Sequence, residues 1–418
     1  MIRSLNAAVS GIDANQTMLD VIGNNIANSN TTGYKTDRTE FEDLLGQQLS
    51  SPTAPTATSG GVNPMSVGSG VRVASIGTSF VEGSLQQTGI STDVAITGNG
   101  FFIAHKDGQT YYTRAGDLKT DASGNITTAD GSFLQGYSAI NGVVTPNGTL
   151  GNLSVQSNSV AKPKESADIT VGGNLPANAT TPVQSSITVY DSLGRAVNVN
   201  LTFTPNGANS WNMTGQSVDP SSGALTDAWA TPQTVTFANG ALATINGTAV
   251  TGETKVAMTT PPPGWSGPLA IDFPATTAAG ALTQVAGQQT AAATGQDGFA
   301  SGTLRGFTIG ADGTVSATFS NGESQSVGQL ATALFSNNGG LVKTGATMFQ
   351  ASTNSGLPQI GAPGSGGRGA LVDGSLETSN VDLGKELTNL IIAQSAYQAN
   401  TKVVSTSNQV LQSLVQMP

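Results

Sequence analysis

The sequence contains no cysteine and a single histidine, His105. The lack of cysteine excludes disulfide bonds, zinc–thiolate sites and iron–sulfur clusters, and one histidine leaves few nucleophile–base pairs or transition-metal sites. His105 stands between an apolar run at 101–104 and Lys106-Asp107-Gly108, so we interpret it as an exposed residue at a strand end. We therefore predict no catalytic residue, no cofactor and no metal ion.

Charged side chains are also scarce, because only 10% of the 418 residues are Asp, Glu, Lys or Arg. The 16 Lys and Arg residues are scattered and the formal net charge is −10, which argues against nucleic-acid binding and gives no attraction to anionic lipid. The longest apolar cluster near either end, residues 390–393, is far shorter than the ~20 residues that cross a bilayer. We predict no nucleic-acid partner, no membrane insertion and no cleaved signal peptide.

Three short patterns resemble chemical motifs, and each has a simpler explanation. Residues 364–369 match GxGxxG, but no apolar strand precedes them and no periodic helix follows directly, so we interpret them as a glycine-rich linker. Residues 121–125 lack the alternating oxygen ligands and final glutamate of a calcium loop, which favours a β-turn. Glu40, Glu42 and Asp43 cluster as paired carboxylates can, but a solvated helical face explains them better.

Apolar residues recur at every seventh position near the N-terminus, a period typical of a helix that packs along a seam. The repeat predicts a helix over about residues 4–28, which ends in the amide- and glycine-rich run 28–33. The predicted seam residues of this helix are Leu5, Ile12, Leu19, Ile22 and Ile26.

The same period appears near the C-terminus, where the predicted seam residues are Leu383, Leu387, Leu390, Tyr397, Val404 and Leu411. Ser379-Asn380 is interpreted as the N-cap, with Asp382 as an acid in the first turn. An isolated amphipathic helix is marginal in water, so the two segments predict a coiled coil in which the ends of the chain meet. Polar residues on the facing sides favour further helical neighbours over a two-helix stalk packed on its own domain.

Between the helices the sequence indicates β structure in two parts. Asp107-Gly108 and residues 310–313 predict hairpin turns, and so does the segment 191–194 between two alternating apolar runs. Residues 146–300 hold all three tryptophans but only four Lys or Arg, which indicates a separate core. The predicted fold class is mainly β with α-helical termini. The predicted domains are a terminal helical coiled coil (1–30 plus 380–418), a linker (31–70), a split β domain (71–145 plus 301–365), an inserted outer β domain (146–300) and a return linker (366–379).

Several of these segments resemble the flagellar axial proteins, the family of rod, hook and hook-associated proteins. Residues 4–35, SLNAAVSGIDANQTMLDVIGNNIANSNTTGYK, resemble the N-terminal signature of that family, and residues 374–403 resemble its C-terminal motif. Residues 88–102, TGISTDVAITGNGFF, and 112–137 resemble the first half of its shared β domain. Residues 306–341 resemble the returning half, as found in members with a central insert. One departure is Ser395, where related sequences commonly have arginine.

The resemblance implies a structural subunit that is exported unfolded through the flagellar type III apparatus and polymerises beneath a cap into a curved tube. Such a tube transmits motor torque to the filament as a universal joint. The implied partners are copies of the same chain, the distal rod protein, the hook cap and the hook–filament junction protein. The implied location is the extracellular flagellar hook.

On this interpretation the amide side chains serve contacts beyond the two-helix seam. The amides expected to do so are Asn24, Asn25, Asn28, Gln394 and Asn400. Each side-chain hydrogen bond contributes only about 1 kcal/mol net, so many weak bonds can exchange as a tube turns.

Other classes of protein remain as alternatives at this point. Another axial protein, from the distal rod or the hook-associated group, is one, although a distal rod protein would be shorter and lack the insert. An extracellular β-rich adhesin fits the threonine-rich insert but not the seven-residue periods. A hydrolase with carboxylate chemistry lacks a convincing constellation.

Overall fold

The computed structural model describes residues 2–55, 59–140, 142–146, 148–156, 160–219 and 222–416. Helices stand at both ends of the chain and pack together, and most elements between them are strands. The predicted fold class, mainly β with α-helical termini, is therefore confirmed. The chain divides into two compact units, which comprise residues 1–157, 307–317 and 325–418 (unit 1) and residues 158–306 and 318–324 (unit 2).

Helix α1 spans Ile2–Ala27 and helix α2 spans Leu383–Val415. Both therefore form where the seven-residue period predicted helices. The N-cap of α2 was predicted wrongly, because the Asp382 carboxylate accepts the N–H of Lys385 at 3.1 Å and Asp382 is itself the cap. The Asn380 side chain is occupied elsewhere, since its amide donates to the carbonyl of Ser79 at 2.9 Å.

The strands are numbered in chain order. Between α1 and the end of the first segment of unit 1 lie β1 (Asp37–Asp43), β2 (Gln47–Ser50), β3 (Met65–Val67), β4 (Val71–Thr78), β5 (Leu85–Gln87), β6 (Val94–Thr97), β7 (Phe101–Lys106), β8 (Gln109–Thr113), β9 (Lys119–Thr120), β10 (Ile126–Thr127), β11 (Phe133–Ile140), β12 (Val143–Val144) and β13 (Gly151–Asn152). Unit 2 contains β14 (Val160–Ala161), β15 (Asp168–Asn174), β16 (Val183–Tyr190), β17 (Ala196–Pro205), β18 (Ser210–Val218), β19 (Leu225–Asp227), β20 (Gln233–Ala238), β21 (Ala241–Ile245), β22 (Thr248–Ala249), β23 (Thr254–Ala257), β24 (Ala270–Phe273), β25 (Leu282–Thr283) and β26 (Ala292–Gln296). The returning chain contains β27 (Gly302–Ile309), β28 (Thr314–Phe319), β29 (Ser324–Leu330), β30 (Thr332–Leu334), a 3-10 turn (Asn338–Gly340), β31 (Val342–Gly345), β32 (Met348–Gln350), β33 (Gln359–Gly361), β34 (Ala370–Asp373) and β35 (Ser375–Glu377).

Unit 1 is built on a sheet with the strand order β29-β11-β7-β8-β32-β31. The predicted hairpin at Asp107-Gly108 joins β7 to β8, and both turn residues have positive φ, +51° and +78°. An aromatic cluster that includes Phe101, Phe335 and Phe349 fills one face. Strands close to the start and the end of the chain also pair, β5 with β35 and β6 with β34, so unit 1 is closed by residues far apart in sequence.

Unit 2 has its own core beneath a sheet ordered β16-β17-β18-β20-β21-β25-β15-β24-β23. The predicted hairpin across residues 191–194 joins β16 and β17 in antiparallel register. Trp211 and Trp229 are buried in this core, and Trp265 packs against it. The Trp265 indole N–H donates to the carbonyl of Ser166 at 2.9 Å, so a partly exposed aromatic ring still satisfies its polar atom.

The ranges 31–70 and 366–379, which were predicted from the sequence to be linkers, contain strands that pair with other strands. β1 pairs with β4, while β34 and β35 lie in the second range. The partners are distant along the chain, so a local reading of composition did not reveal them. Residues 56–58 of the first range, and residues 1 and 417–418 of the predicted helical domain, lie outside the described residues.

The acidic cluster at 40–43 was placed wrongly on a helix, because it lies on β1. Strands β1 and β4 form a two-stranded ribbon, and its outward side chains form exposed ion pairs, Glu40 with Arg38 and Glu42 with Arg72. Residues 121–125 form the predicted turn, in which the Asp121 carboxylate accepts the N–H groups of Ser123 and Asn125, both at 2.8 Å. Among the described residues no group of three or more metal-ligating side chains occurs.

Candidate assembly interface

Helices α1 and α2 pack against each other in opposite directions. Gly11 lies against Asn400, and a Cβ added to Gly11 would be 2.6 Å from the Asn400 Nδ2 atom. At the other end of the pair, Ile22 lines the same cavity as Glu386 and Asn389. The contact at Gly11 is close enough that only a residue without a side chain fits there unless Asn400 moves.

Small residues dominate the buried side of this contact. Ala8, Ala14 and Ala393 are almost fully buried. On α2 the buried residues are Glu386, Ala393 and Ser407, and the half-buried Asn400 completes a spacing of seven residues. Small side chains let two helix backbones approach closely, so the interhelical contact is close but contributes little apolar area.

The predicted seam residues occupy the stripe beside this small-residue contact. On α1, Ile22 is buried, whereas the other four predicted residues are half-buried: Leu5, Ile12, Leu19 and Ile26. On α2, Leu390, Tyr397 and Val404 are half-buried, and Leu383, Leu387 and Leu411 are exposed. The apolar period identified both helices, but it did not identify the residues in closest contact.

Large apolar side chains of α2 are left facing outward. Leu387, Ile391 and Ile392 are exposed by 51%, 62% and 58%. Val403 and Val410 are exposed further along the helix. Contiguous apolar exposure of this kind marks an interaction surface in soluble proteins, and α1 does not cover it. Neither helix in the described part of the chain has the length and hydropathy needed to cross a membrane.

The predicted amide residues are used in different ways. Asn25 is fully buried, and its side chain both donates to the carbonyl of Asp37 at 2.8 Å and accepts the N–H of that residue at 3.0 Å. Asn28 donates to the carbonyl of Asn24 at 2.9 Å, which closes the last turn of α1. Gln394 is exposed and Asn400 is half-buried against Gly11. The amide-rich end of α1 thus serves first to fix the turn that leaves the helix.

Tyr34 completes this turn. Its hydroxyl lies 2.9 Å from the Asn24 Oδ1 atom and 3.1 Å from that of Asn25. Burial, with the nearby carboxylates of Asp37 and Glu386, raises the pKa of Tyr34 from 10.0 to about 12.

Beyond the turn, the two chain segments that enter and leave the helices are bound together. We call residues 33–36 and 377–380 the helix base. The N–H of Gly33 donates to the carbonyl of Glu377 at 2.9 Å, and the N–H of Thr36 donates to the Asn380 side chain at 2.8 Å. The C-terminal end of α1 and the N-terminal end of α2 are therefore joined at one point on unit 1.

A buried ionic cluster lies at the helix base. The Lys35 ammonium is 2.6 Å from the Glu377 carboxylate, and neither side chain has any exposed surface. Arg114 approaches the other oxygen of Glu377 at 3.4 Å and also donates to the carbonyl of Ile96 at 3.2 Å. Burial lowers the pKa of Lys35 and that of Arg114, while the carboxylate of Glu377 acts in the opposite direction on both. No sequence motif indicated this cluster, although its members lie in three of the segments that carried the family resemblance.

Comparison with known proteins places this architecture in the flagellar rod and hook class. Four family models match in order: Flagella basal body rod protein (5–35), Flagellar hook protein FlgE/F/G D1 domain (95–208), Flagellar basal body protein FlaE D2 domain (158–299) and Flagellar basal body rod FlgEFG protein C-terminal (372–417). The matches cover both helices and parts of both β units.

Full-length relatives define the family more closely. The flagellar hook protein FlgE of Treponema pallidum (strain Nichols) is 37% identical over 465 residues, and the match covers all of both chains. That of Salmonella typhimurium is 35% identical over 437 residues, covering 99% of this chain and all of the relative. The crystal structure of Helicobacter pylori flagellar hook protein FlgE2 has a similar fold, with a TM-score of 0.50 and 14% identity, over 70% of this chain and all of that one. The chain belongs to the flagellar hook protein family, which makes it a structural protein of the flagellar hook.

Proposed function

We propose that this chain polymerises into the curved tube of the flagellar hook and that its terminal helices supply the main contacts between subunits. The observation that carries the proposal is the row of large apolar side chains left exposed on α2 although α1 is already packed against it. Burying one such side chain contributes about 1.5–3 kcal/mol, so neighbouring helices that cover several of them gain enough to hold a polymer together.

The proposed seam and contact residues are those named from the sequence. The seam comprises Leu5, Ile12, Leu19, Ile22 and Ile26 on α1 and Leu383, Leu387, Leu390, Tyr397, Val404 and Leu411 on α2. Among the amides, Gln394 is free to meet a neighbouring subunit because it is exposed, whereas Asn25 is engaged within its own chain.

The remaining parts of the proposal concern the polymer and its assembly. The tube bends and transmits torque as a universal joint, and the chain reaches it unfolded through the type III export apparatus. The distal rod protein, the hook cap and the hook–filament junction protein are the expected neighbours at the two ends. A head-to-tail contact that does not close under rotation gives an open filament, as a tube requires.

In the free subunit we expect the terminal helices to be disordered and to fold when copies assemble. Their mutual contact is made mainly by small residues, and isolated helices are marginal in water. Limited proteolysis or proton NMR of the monomer tests this point. Protection of residues 1–30 and 380–416 before polymerisation would show that the helices fold first.

The central experiment introduces charge into the exposed row. Replacing both Ile391 and Ile392 with aspartate is expected to abolish tubes, seen by electron microscopy at protein concentrations where the unchanged chain assembles. Leu357→Asp is the matched control, because Leu357 is 87% exposed in a loop of unit 1. Tubes of normal yield from the double variant would overturn the proposal.

A further inference from the structure

We propose that Glu377, together with Lys35 and Arg114, is a positioning residue that fixes both terminal helices to the same point of unit 1. The cluster joins residues that are 342 positions apart, one following α1 and the other preceding α2. The consequence for hook assembly rests on the proposed function, whereas the consequence for the free subunit does not.

The geometry makes Glu377 the shared partner of every segment at this point. One carboxylate oxygen accepts from Lys35 at 2.6 Å and from the N–H of Gly83 at 2.8 Å. The other faces Arg114, whose guanidinium also donates to the carbonyl of Gly98 at 2.5 Å. The Lys35 ammonium donates in addition to the carbonyl of Val81 at 2.9 Å. Three separate stretches of chain, at Lys35, Gly83 and Arg114, are thus held directly by one side chain.

The charge balance explains why the cluster forms only when all parts are present. Two buried cations face a single buried carboxylate, and backbone carbonyls accept further N–H groups from the Lys35 ammonium and from both terminal nitrogens of Arg114. The buried Arg114 Nε atom has no hydrogen-bond partner among the described residues. Glu82 lies near both cations and accepts the N–H of Gly98 at 2.9 Å. A buried charge that loses its partner typically costs about 3–5 kcal/mol. The cluster therefore favours the arrangement in which both segments of the helix base, residues 33–36 and 377–380, are docked in the observed register.

Backbone contacts around the cluster connect it to the direction of the helices. The helix base is bonded across from Gly33 to Glu377 and from Thr36 to Asn380, and the Asn380 side chain donates to the carbonyl of Val81 at 2.9 Å. Gly33 has a φ of +67°, and a Cβ there would lie 2.6 Å from the backbone N of Ala115, beside Arg114. The path of the chain out of α1 and into α2 is therefore determined next to the cluster of Lys35, Arg114 and Glu377.

The test uses Glu377→Gln, which keeps the shape of the side chain and removes its charge. We expect amide hydrogen exchange in the helix base to become at least ten times faster, while exchange in β7, β11 and unit 2 stays within a factor of two. The control is Glu323→Gln, because Glu323 is exposed in a turn of unit 2, and it should leave exchange in the helix base unchanged. Uniform acceleration throughout unit 1, or none, would overturn the positioning role.

A second variant separates positioning from folding. Lys35→Met with Arg114→Met and Glu377→Leu removes all three charges, so no unpaired ion remains. We expect its unit 1 to unfold at a midpoint close to that of the unchanged chain, but its tubes to be fewer or irregular by electron microscopy. Normal tubes from this variant would contradict the inference. If the unchanged chain itself formed no tubes, the proposed function would fail, and hydrogen exchange would still decide the role of Glu377.

Discussion

Unit 2 and the terminal helices bury their apolar side chains in opposite ways. In unit 2 the large residues face inward, and Leu201, Phe203 and Phe273 have no exposed surface. In the helix pair the inward residues are mostly small, such as Ala8 and Ala393, while large ones face outward. Unit 2 therefore has a complete core within one chain, whereas the helix pair leaves large apolar side chains exposed, and we propose that helices of neighbouring subunits cover them.

The largest expected effect tests whether the two regions are independent. Trp211 is 1% exposed in the core of unit 2, so Trp211→Ala should lower the free energy of unfolding of that unit by about 3–5 kcal/mol. The remaining tryptophans, Trp229 and Trp265, report the transition by fluorescence during urea unfolding. Tube formation below the transition should remain.

Leu225→Ala is the matched control for that change, because Leu225 is 61% exposed on β19 of the same unit. It should alter stability by no more than about 0.5 kcal/mol. If Trp211→Ala left unit 2 as stable as the control does, the complete core inferred for that unit would be wrong.

The next effect concerns the turn between β16 and β17. The Asp191 side chain is fully buried, and burial by itself raises its pKa. Hydrogen bonds from the N–H groups of Arg195 and Leu193 and from the Arg195 guanidinium outweigh burial, so the pKa lies below its usual 3.8. Asp191→Asn should cost about 1–3 kcal/mol at pH 7, measured by urea unfolding of unit 2.

The difference in unfolding free energy between the unchanged chain and Asp191→Asn should depend on pH. A carboxyl whose pKa is lowered by folding stabilises the folded state above the unfolded pKa, and this stabilisation is lost as the pH falls through the folded pKa. The difference between the two proteins should be full near pH 6–7 and shrink below about pH 4. A difference that is constant from pH 7 to pH 3 would show that the charge of Asp191 is not the cause.

A smaller effect tests the close contact of the helix pair. Gly11→Ala gains about 1 kcal/mol of helix propensity but pushes a Cβ to 2.6 Å from the Asn400 amide. We expect a net loss of about 1 kcal/mol in helix pairing, because overpacking typically costs 1–3 kcal/mol. The critical concentration for tube formation measures it.

Gly23 supplies the matched control on the same helix. A Cβ at Gly23 would meet no atom within 4 Å, so Gly23→Ala should lower the critical concentration through propensity alone. Gly11→Ala combined with Asn400→Ala should restore the pairing that Gly11→Ala loses. Equal effects of the two glycine changes would mean that α1 and α2 do not approach closely at Gly11.

Elements with a local signal were predictable from the sequence. Both helices follow from a seven-residue apolar period, and the turn at Asp107-Gly108 follows from residues that tolerate positive φ. Asp382 was recognised near the start of α2, although the cap was assigned to its neighbours. In each case the residues that determine the structure are adjacent or one helical turn apart.

Features made by distant residues were not predictable. Lys35 and Glu377 form an ion pair across almost the whole chain, and no spacing rule connects them. β1 pairs with β4, a strand that begins nearly thirty residues later, so its charged sequence did not indicate a strand. The period of the helices shows where large apolar residues recur, but a helix contact can instead use the small residues beside them, as Gly11 and Ala393 do.

The smallest expected effect lies on the exposed β1–β4 ribbon of unit 1. Arg72 pairs with Glu42, and their side chains are 67% and 41% exposed. Ion pairs in such positions contribute about 0–1 kcal/mol and weaken with salt. Arg72→Gln should therefore lower the free energy of unfolding of unit 1 by less than about 0.5 kcal/mol, measured by urea unfolding at low salt.

The comparison with Glu377→Gln makes this small number informative. Both changes remove one partner of an ion pair in unit 1, but only the pair at the helix base is buried. The loss of unfolding free energy caused by Arg72→Gln should disappear at 1 M salt, where the screening length is about 3 Å. The loss of unfolding free energy caused by Glu377→Gln should persist at that salt concentration. If salt abolished both effects equally, the cluster at the helix base would be open to solvent, and the inference that it fixes the end of α1 and the start of α2 would fail.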